Sequence, residues 1–372
     1  MLDPWPSWEF NALNVPGALQ YAQSMIIDSQ NRMWIPDVGR LNIFDAPSLV
    51  VNGPAGLFVV NVSTGETLFT YSFPNEVVPY NNSFVNDIVL DEVNGWAYFS
   101  NTLAQGGIIV YDIKKSTSHM FIGPSTYRNS SYNVCVNDYC YGTDGFGANP
   151  SDGIALSADG HTLYWSPVQG KGVYSINTSY LHDFSMTNEE FESHTVYLGS
   201  KAGISDGLLL VNGNLYFGDN TISALGVIDS IASYDTVSSL DATDSSQVSE
   251  TNNEELEWFD TFAPDLANPL AYNLYATTNR LDRFFNGTMD FTGQSGSNFR
   301  VYYITDLDST SSSSSSAKFP WYDIFIVIVV VLIVCFVVYL FLHHYMGYWQ
   351  SDEDTLVHQG QENSSAGAET FL

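Results

Sequence analysis

The chain is long and strongly acidic: it has 372 residues and a formal net charge of -30, with 11 lysines and arginines against 41 aspartates and glutamates. A nucleic-acid partner is excluded, because phosphate binding depends on clustered basic side chains. Hydrophobic residues make up 45% of the sequence and aromatic residues 15%, a composition typical of β-rich proteins with an ample core. We therefore expect one large β domain rather than two ordinary ones.

Short hairpins of one form recur along the chain. Each has an apolar run, a tight turn and a strand rich in aromatic residues; in one copy the turn is Asp159-Gly160, where glycine tolerates the positive φ that the turn needs. Four copies are clear and a fifth is weaker, at residues 25–37, 85–99, 151–166, 205–217 and 273–279. Their spacing of roughly 50–65 residues is of the order found in propeller repeats.

A third strand follows each clear hairpin, at residues 56–61, 107–113, 172–177 and 225–229. A small antiparallel sheet with two apolar faces cannot bury both alone, so it packs face to face with neighbouring sheets around an axis. The sequence therefore predicts an all-β propeller over residues 1–305, with about five blades evident. A β-sandwich whose strands are similar by chance is the alternative.

Polar residues recur where the inner strands of these units begin. We predict that they face the central channel and bind a ligand; they are Asn86, Asp87, Asp152 and Asp206, with Asn279 after the fifth unit. Converging carboxylate and amide oxygens suit a hard cation such as Ca²⁺. They equally suit a protonated amine held by charge-assisted hydrogen bonds. The alternative is that each caps a local turn or binds backbone amides between blades.

Other conspicuous residues are assigned structural roles. The aspartates of the hairpin turns, Asp28, Asp91 and Asp159, are expected to hold those turns. Three tryptophans at similar repeat positions are expected to be core, namely Trp34, Trp96 and Trp165. No Gly-x-Ser-x-Gly or His-Glu-x-x-His motif is present, and no histidine is paired with a nucleophile. We therefore predict no catalytic residue and no firm cofactor, Ca²⁺ being the one candidate.

Several segments resemble the yellow / major royal jelly protein family. Residues 4–11 read Pro-Trp-Pro-Ser-Trp-Glu-Phe-Asn, close to the family's P-Y-P-S-W-E-x-N, and residues 25–39 resemble its I-D-x-x-x-R-L-W-V-x-D-x-G. Residues 84–112, 152–164 and 278–301 are similar to further family segments, in the same order. The resemblance covers roughly residues 4 to 304.

The resemblance implies a six-bladed propeller that is usually secreted. It also leads us to expect a signal peptide and most of one further blade upstream of Met1, so that the N-terminal blade is truncated. Some relatives bind small biogenic amines in the central cavity, which implies a contact at Asn279 in the Asn-Arg-Leu segment. Others are associated with dopachrome conversion, and other six-bladed propellers are metal-dependent lactonases.

Five sequons precede the apolar segment described next, and they predict glycosylation at Asn61, Asn81, Asn129, Asn177 and Asn286. Their number on one side of that segment favours an extracellular or lumenal location. Cys135 and Cys140 lie in a loop rich in Gly, Asn and Asp. In an oxidising compartment they can form a local disulfide, and two free thiols are the alternative. A zinc site is not expected there.

The last part of the chain changes character. Residues 230–257 are acidic and serine-rich and are expected to form a mobile surface insertion. Residues 306–320 form a serine-rich stalk. An uncharged run then begins at Ile324 and ends at Leu342, long enough to span a bilayer, with flanking aromatic residues that place the transmembrane helix at residues 321–345. Residues 346–372 are an acidic tail.

Two classes of function follow. The first is a single-pass membrane protein whose extracellular or lumenal propeller binds an amine-like cation or a protein partner, with the tail in the cytoplasm. The second is a propeller enzyme, resembling either a dopachrome-converting isomerase or a Ca²⁺-dependent lactonase. A tail-anchored protein with a cytosolic propeller is the alternative topology. Fold alone decides neither function.

Overall fold

The computed structural model describes residues 3–13, 15–41, 49–50, 54–235, 239–249, 251–267 and 273–305. These residues form a β-propeller of five antiparallel sheets, which confirms the all-β propeller prediction. The sixth blade implied by the family resemblance stays a prediction.

The first two sheets are four-stranded. The first has the order β1-β2-β5-β6, and its strands are β1 (Ile26–Ile27), β2 (Arg32–Asp37), β5 (Gly56–Asn61) and β6 (Thr67–Ser72). Between β2 and β5 in the chain, β3 (Arg40–Leu41) and β4 (Leu49–Val50) form a separate two-stranded sheet. The second sheet runs in chain order from its inner strand, through β7 (Val85–Asp91), β8 (Trp96–Asn101), β9 (Ile108–Asp112) and β10 (Thr117–Phe121).

The other three sheets also run outward in chain order. The third contains β13 (Ser151–Leu156), β14 (Thr162–Pro167), β15 (Gly172–Asn177) and β16 (Val196–Ser200). The fourth contains β17 (Leu208–Val211), β18 (Asn214–Asp219), β19 (Ala224–Ile228) and β20 (Ser245–Gln247). The fifth has three strands among the described residues, namely β21 (Phe259–Pro264), β22 (Leu274–Thr278) and β23 (Arg300–Ile304).

The helices are short and lie in the connections. Two lie between β15 and β16, namely α1 (Thr178–Leu181) and α2 (Asn188–His194), and α3 (Leu281–Phe285) follows β22. Thr187 caps α2 by accepting from the Glu190 N–H while the Glu190 carboxylate accepts from the Thr187 N–H. Three 3₁₀ turns complete the set, at Pro124–Thr126, Ile231–Tyr234 and Ala242–Asp244. No helix among the described residues is long and apolar enough to cross a membrane.

The core lies between successive sheets. Trp34 and Val59 of the first sheet pack with Phe99 of the second, and Tyr98 of the second packs with Trp165 of the third. Two further clusters join the third sheet to the fourth and the fourth to the fifth. Each sheet therefore buries apolar side chains against its neighbour, as the propeller argument requires.

The two sheets at the ends of the series differ in how their outer faces are covered. The first sheet packs Ile35 and Phe58 against Leu19 and Phe10 of the N-terminal segment. The fifth sheet leaves an apolar face exposed, where Tyr275, Val301 and Tyr303 are 42%, 72% and 43% exposed. This face is the largest departure from the pattern of the other sheets.

A separate hairpin leads into the third sheet. It pairs β11 (Val134–Val136) with β12 (Tyr139–Gly142), and its two cysteines are joined as a Cys135–Cys140 disulfide. Val134 and Val136 pack in a cluster with Ile204 and Trp258. The hairpin therefore covers part of the propeller rather than extending into solvent.

Two sequence expectations need correction. The described part of residues 230–257 is not only a surface insertion: it contains β20, which completes the fourth sheet, and it buries Leu240 and Leu256. Trp96 packs, partly buried, against the core, but it pairs with Asp91; the position equivalent to Trp34 and Trp165 is Phe99, which pairs with Ile88. The stalk, the predicted span and the acidic tail lie outside the described residues.

Candidate functional site

Bulges in three inner strands carry polar residues, among them Asn86, Asp87 and Asp152 of the predicted site. The register shifts between Val85 and Ile88, between Ser151 and Ile154, and between Phe259 and Phe262. A bulge places two residues opposite one and redirects a side chain that a regular strand would send elsewhere. The redirected pairs are Asn86-Asp87, Asp152-Gly153 and Asp260-Thr261.

Two glycines let neighbouring inner strands approach closely. A Cβ on Gly153 would lie 2.2 Å from the Asp206 carbonyl oxygen, and one on Gly207 would lie 2.3 Å from the Asp260 carbonyl oxygen. No side chain fits at either position without backbone movement. In Asp152-Gly153 and Asp206-Gly207, the aspartate supplies a carboxyl group, and the glycine allows the next strand to approach closely enough for neighbouring carboxyl groups to interact.

Equivalent side chains of successive sheets form a row of interacting polar groups. Asn86 Nδ2 donates to Asp152 Oδ2 at 2.9 Å, and Asn279 Nδ2 donates to Asp260 Oδ2 at 3.2 Å. Between these ends, the Asp206 carboxyl group interacts electrostatically with those of Asp152 and Asp260. We call this set the axial row; its members are Asn86, Asp152, Asp206, Asp260 and Asn279.

Two other groups extend the site. Asp87 accepts from the Ile154 N–H at 3.2 Å, from the Ile88 N–H at 2.9 Å and from the Ser24 hydroxyl at 3.2 Å. The Trp258 indole donates to Asp206 Oδ2 at 2.7 Å. Asp152 and Asp206 are buried residues, and Asp87 and Asp260 are partly buried. Desolvation is nevertheless the dominant influence on all four carboxyl groups.

The carboxyl groups of this site hold protons more tightly than free aspartates. Burial raises the pKa of Asp87 to about 6. Burial, together with the charges of Asp87 and Asp260, raises the pKa of Asp152 to about 8. Burial and the neighbouring Asp152 charge raise the pKa of Asp206 well above its usual value, and burial raises that of Asp260. Burial and neighbouring carboxyl charges both favour such a retained proton.

The row does not fit a calcium ion in this arrangement. The Asn279 Oδ1 atom accepts from the Leu281 N–H at 2.9 Å, which turns the amide nitrogen, a donor, toward Asp260. Asn86 likewise presents its nitrogen to Asp152. Calcium needs several converging oxygens. Within the described residues, no group of three or more His, Cys, Asp or Glu side chains is placed to hold a metal ion.

The five predicted ligand-binding residues lie together, and sequence reasoning missed one member of the row. Asp260 went unrecognised because Thr261 follows it where glycine follows Asp152 and Asp206. A signal was present: Asp260 stands two residues before the apolar Phe262, the same spacing that separates Asp152 from Ile154. A search for an Asp or Asn two residues before an apolar strand residue would have identified Asp260.

The turn aspartates hold their turns as expected. Asp28 accepts from the Gln30 and Arg32 N–H groups, from Arg32 Nε and from the Trp34 indole. Asp91 accepts from the Asn94 N–H and amide, and Asp159 accepts from Ser157 and the His161 N–H. Their carboxylates are committed to local donors.

The sequon asparagines lie on the surface of the propeller. Four are exposed, namely Asn81, Asn129, Asn177 and Asn286, and Asn61 is partly exposed. Glycosylation at these positions stays a prediction.

Comparisons with known proteins extend this description. The family model described as major royal jelly protein matches residues 21–306. Protein yellow of Drosophila melanogaster is 26% identical over 234 residues, which cover 57% of this chain and 41% of that protein. Protein yellow of Drosophila madeirensis is 25% identical over 202 residues, covering 51% and 34%. The chain therefore covers less than half the length of these relatives.

Solved structures of similar fold include two enzymes. A gluconolactonase from Xanthomonas campestris is 12% identical with a TM-score of 0.44, covering 77% of this chain and 74% of that one. A luciferin-regenerating enzyme is 14% identical with a TM-score of 0.45, covering 81% and 84%.

Proposed function

The chain belongs to the major royal jelly protein family, and from that premise we propose that its propeller binds a small organic cation, a protonated amine, at the axial row. One observation carries the proposal: three carboxyl groups, Asp152, Asp206 and Asp260, interact in series and are desolvated, and no lysine, arginine or histidine of the described residues forms an ion pair with them. Carboxyl groups so placed keep their protons, because buried negative charges repel one another. A bound cation would relieve that repulsion.

The surroundings of the row suit an amine better than a metal ion. An ammonium group donates, and the carboxylate oxygens of Asp206, Asp260 and Asp87 are acceptors in charge-assisted hydrogen bonds. Tyr21, whose pKa is raised by burial and then by the charge of Asp260, brings an aromatic ring into the same electrostatic environment. An aromatic face adds attraction for an organic cation.

The test is calorimetric titration of the full chain with serotonin and tyramine. Asp206→Asn keeps the shape of the side chain and removes its charge, so we expect affinity to fall about tenfold or more, since a hydrogen bond to a charged group contributes roughly 1.5–3 kcal/mol. Asp159→Asn is the matched control, because Asp159 is an exposed turn carboxylate. Amines that give no heat, or that bind Asp206→Asn as well as wild type, would refute the proposal. Ca²⁺ titrated alone is expected to give no heat.

Binding of a cation should also depend on pH in a defined direction. The cation favours ionised carboxylates, so binding releases protons wherever Asp87 and Asp152 are still protonated. Affinity is therefore expected to rise between pH 5.5 and pH 8. A lysine or arginine of a protein partner would use the same carboxylates, and it is the occupant to test if free amines do not bind.

Proton transfer is a second candidate function, favoured by one observation. The pKa of Asp152, about 8, leaves a carboxylic acid protonated at neutral pH beside the more acidic Asp87. Two carboxyl groups with separated pKa values can act as acid and base in an isomerisation. Turnover of a dopachrome-like substrate that Asp152→Asn abolishes would support this function over simple binding.

Membrane attachment is the remaining part of the proposal, and it rests on sequence. The run from Ile324 to Leu342 is free of charge and lies outside the described residues. It is long enough to span a bilayer, with the propeller on the extracellular or lumenal side. Carbonate extraction of cell membranes should leave the full chain in the pellet, and replacing Val330 and Val331 with lysine should release it, since lysine at a bilayer centre is costly. Release of the wild-type chain by carbonate would contradict the anchor.

A further inference from the structure

A cavity of about 420 Å³ lies at the edge of the third sheet, and no member of the axial row lines it. Its volume is within the range of about 300–1,000 Å³ that small-molecule sites occupy. Four of its lining residues are tyrosines, contributed by the segment before the β11–β12 hairpin and by the third sheet, namely Tyr127, Tyr132, Tyr174 and Tyr197. Asn129, Lys171 and Ser200 supply polar groups between them.

The walls of this cavity are held by buried hydrogen bonds. Gln169 is fully buried, and its Nε2 donates to the Tyr132 carbonyl at 2.8 Å and to the Thr143 carbonyl at 2.7 Å. The Gln169 carbonyl accepts from the Asn129 N–H at 2.8 Å. Gln169 therefore fixes the segment that carries Asn129 and Tyr132 against the turn between β14 and β15.

The third sheet supplies an aromatic wall. Tyr174 lies across Gly172, where a Cβ would come within 3.0 Å of the phenol ring. Tyr174 also packs against Tyr197, with ring centroids 5.3 Å apart. Tyr197 is 48% exposed, and its hydroxyl is 3.0 Å from the Ser200 hydroxyl. An exposed ring beside hydroxyl groups offers stacking and hydrogen bonding together.

Asn129 has the position and the sequence of a glycosylation acceptor. It begins the sequon Asn129-Ser130-Ser131, and it is exposed at the cavity wall. Its Oδ1 accepts from the Ser131 N–H at 3.1 Å. This hydrogen bond uses the amide oxygen and not the amide nitrogen, which is the atom that glycosylation modifies. None of the other four sequon asparagines lines this cavity.

We propose that the cavity holds the first N-acetylglucosamine units of a glycan carried by Asn129. The glycan comes from a lipid-diphosphate-linked oligosaccharide: a bond forms between Asn129 Nδ2 and the anomeric carbon, the bond from that carbon to the diphosphate breaks, and Nδ2 loses a proton. The sugar rings lie against the Tyr197 and Tyr132 rings through their C–H faces. Their hydroxyl and acetamido groups meet Ser200, Lys171 and the tyrosine hydroxyls.

Lys171 is held at the cavity wall and can still contact a bound sugar. Its ammonium group donates to the Ala202 carbonyl and lies 5.9 Å from the centre of the Tyr132 ring. An ammonium group has three donors. It can therefore keep the carbonyl contact while donating to a sugar oxygen.

The test measures how fast tetranitromethane nitrates individual tyrosines in the full chain produced by eukaryotic cells. Ser131→Ala removes the sequon but keeps Asn129 and the Ser131 backbone N–H that orients it. Thr288→Ala is the matched control, because it removes the Asn286 sequon at an exposed position that does not line the cavity. Tyr197 is the reporter because it is exposed. Tyr174 is unsuitable, because burial raises its pKa to about 12 and slows its nitration whether or not a sugar is present.

We expect Tyr197 to be nitrated several-fold faster in Ser131→Ala than in wild type, and at the wild-type rate in Thr288→Ala. Asn129→Gln provides a second variant if Ser131→Ala is poorly produced, and it should behave in the same way. Equal Tyr197 rates in wild type and in both Asn129 sequon variants would overturn the proposal. So would peptide mapping that finds Asn129 unmodified in the wild-type chain purified from the same cells.

Discussion

Single residues of the same type have opposite roles in this protein. Asp28 is a turn residue whose carboxylate accepts from Arg32 and the Trp34 indole, and these contacts outweigh burial and lower its pKa. Asp152 lies in the bulge of β13, and burial raises its pKa to about 8. The difference arises from the donors that surround each group, since a carboxylate with enough donors stays ionised and one beside other carboxyl groups does not.

The raised pKa of Asp152 leads to a prediction about stability and pH. Because its pKa is higher in the folded state than in the unfolded chain, its contribution to stability is complete below the unfolded pKa and is lost as pH rises. Asp152→Asn removes that dependence. We therefore expect the free energy of unfolding of Asp152→Asn, relative to wild type, to increase between pH 5 and pH 7 by about 1 kcal/mol per pH unit.

The measurement is denaturant unfolding of both proteins at several pH values in that range. Other groups also titrate: burial lowers the pKa of His119 and His182, and lowers that of Lys201 to about 7, which favours stability as pH rises. His119, His182 and Lys201 are common to both proteins, so their effects cancel in the difference between the two curves, which reports Asp152 together with the carboxyl groups coupled to it, Asp206 above all. Parallel curves would show that Asp152 is ionised in the folded protein.

At the level of the strands, two glycines allow the inner strands to lie close together. Gly153 and Gly207 carry no Cβ, and each faces the backbone carbonyl of the aspartate on the next inner strand, Asp206 and Asp260. Bulges at Asp152 and Asp260 redirect the carboxyl groups of two of these strands. In the Asp152-Gly153 segment, strand spacing and side-chain direction are therefore set by the same two residues.

This spacing predicts that Gly153→Ala is strongly destabilising. Its Cβ would lie 2.2 Å from the Asp206 carbonyl oxygen, and relief requires the third and fourth sheets to separate. We expect a loss of about 3 kcal/mol in unfolding free energy, at the upper end of typical overpacking costs. Thermal or denaturant unfolding measures it, with amine titration as a second readout of the displaced row.

Gly56→Ala is the matched control for that substitution. Gly56 is also a strand glycine, and its Cβ would come no closer than 3.2 Å to one carbonyl oxygen, that of Tyr71. We expect its stability to remain within about 1 kcal/mol of wild type. If Gly153→Ala were no more destabilising than Gly56→Ala, the inner strands would be less tightly packed than this account requires.

At the scale of the whole molecule, charge and fold act against each other. A net charge of -30 favours binding of cations and keeps the protein soluble, but it opposes the compact state through self-repulsion. The buried aspartates of the axial row reduce that cost by retaining protons. Most of the remaining acidic groups are near the surface, where salt screens them.

We therefore expect salt to stabilise the protein. Raising NaCl from 20 to 300 mM should raise Tm by roughly a few degrees, because the Debye length falls from tens of ångströms to below about 10 Å. The increase should level off at a few hundred millimolar if it arises from screening. A Tm that stays flat or falls over this range would show that ion pairs outweigh self-repulsion. Differential scanning calorimetry provides the measurement.

The sequence alone was enough to predict the propeller, because the alternation of apolar residues recurs from unit to unit and three of the turns carry an aspartate, and both patterns follow from local rules. It also identified Asn86, Asp152 and Asp206 at the inner strands, since equivalent positions of repeated units must face the same axis. It misassigned Trp96, whose register depends on pairing with Asp91, and it treated residues 230–257 as unstructured although they supply β20.

How these residues act together became apparent only in the folded protein. Asp260 joins the row at a bulge, and although its spacing to Phe262 matches the repeat, the retention of protons depends on burial and on the distance between sheets, which the spacing does not give. The sequence showed three separate acidic positions, Asp87, Asp152 and Asp206, each with an ordinary turn-capping alternative. Their chemistry differs from that of Asp28 because packing removed water and basic partners from the axial row, and no residue alone carries that information.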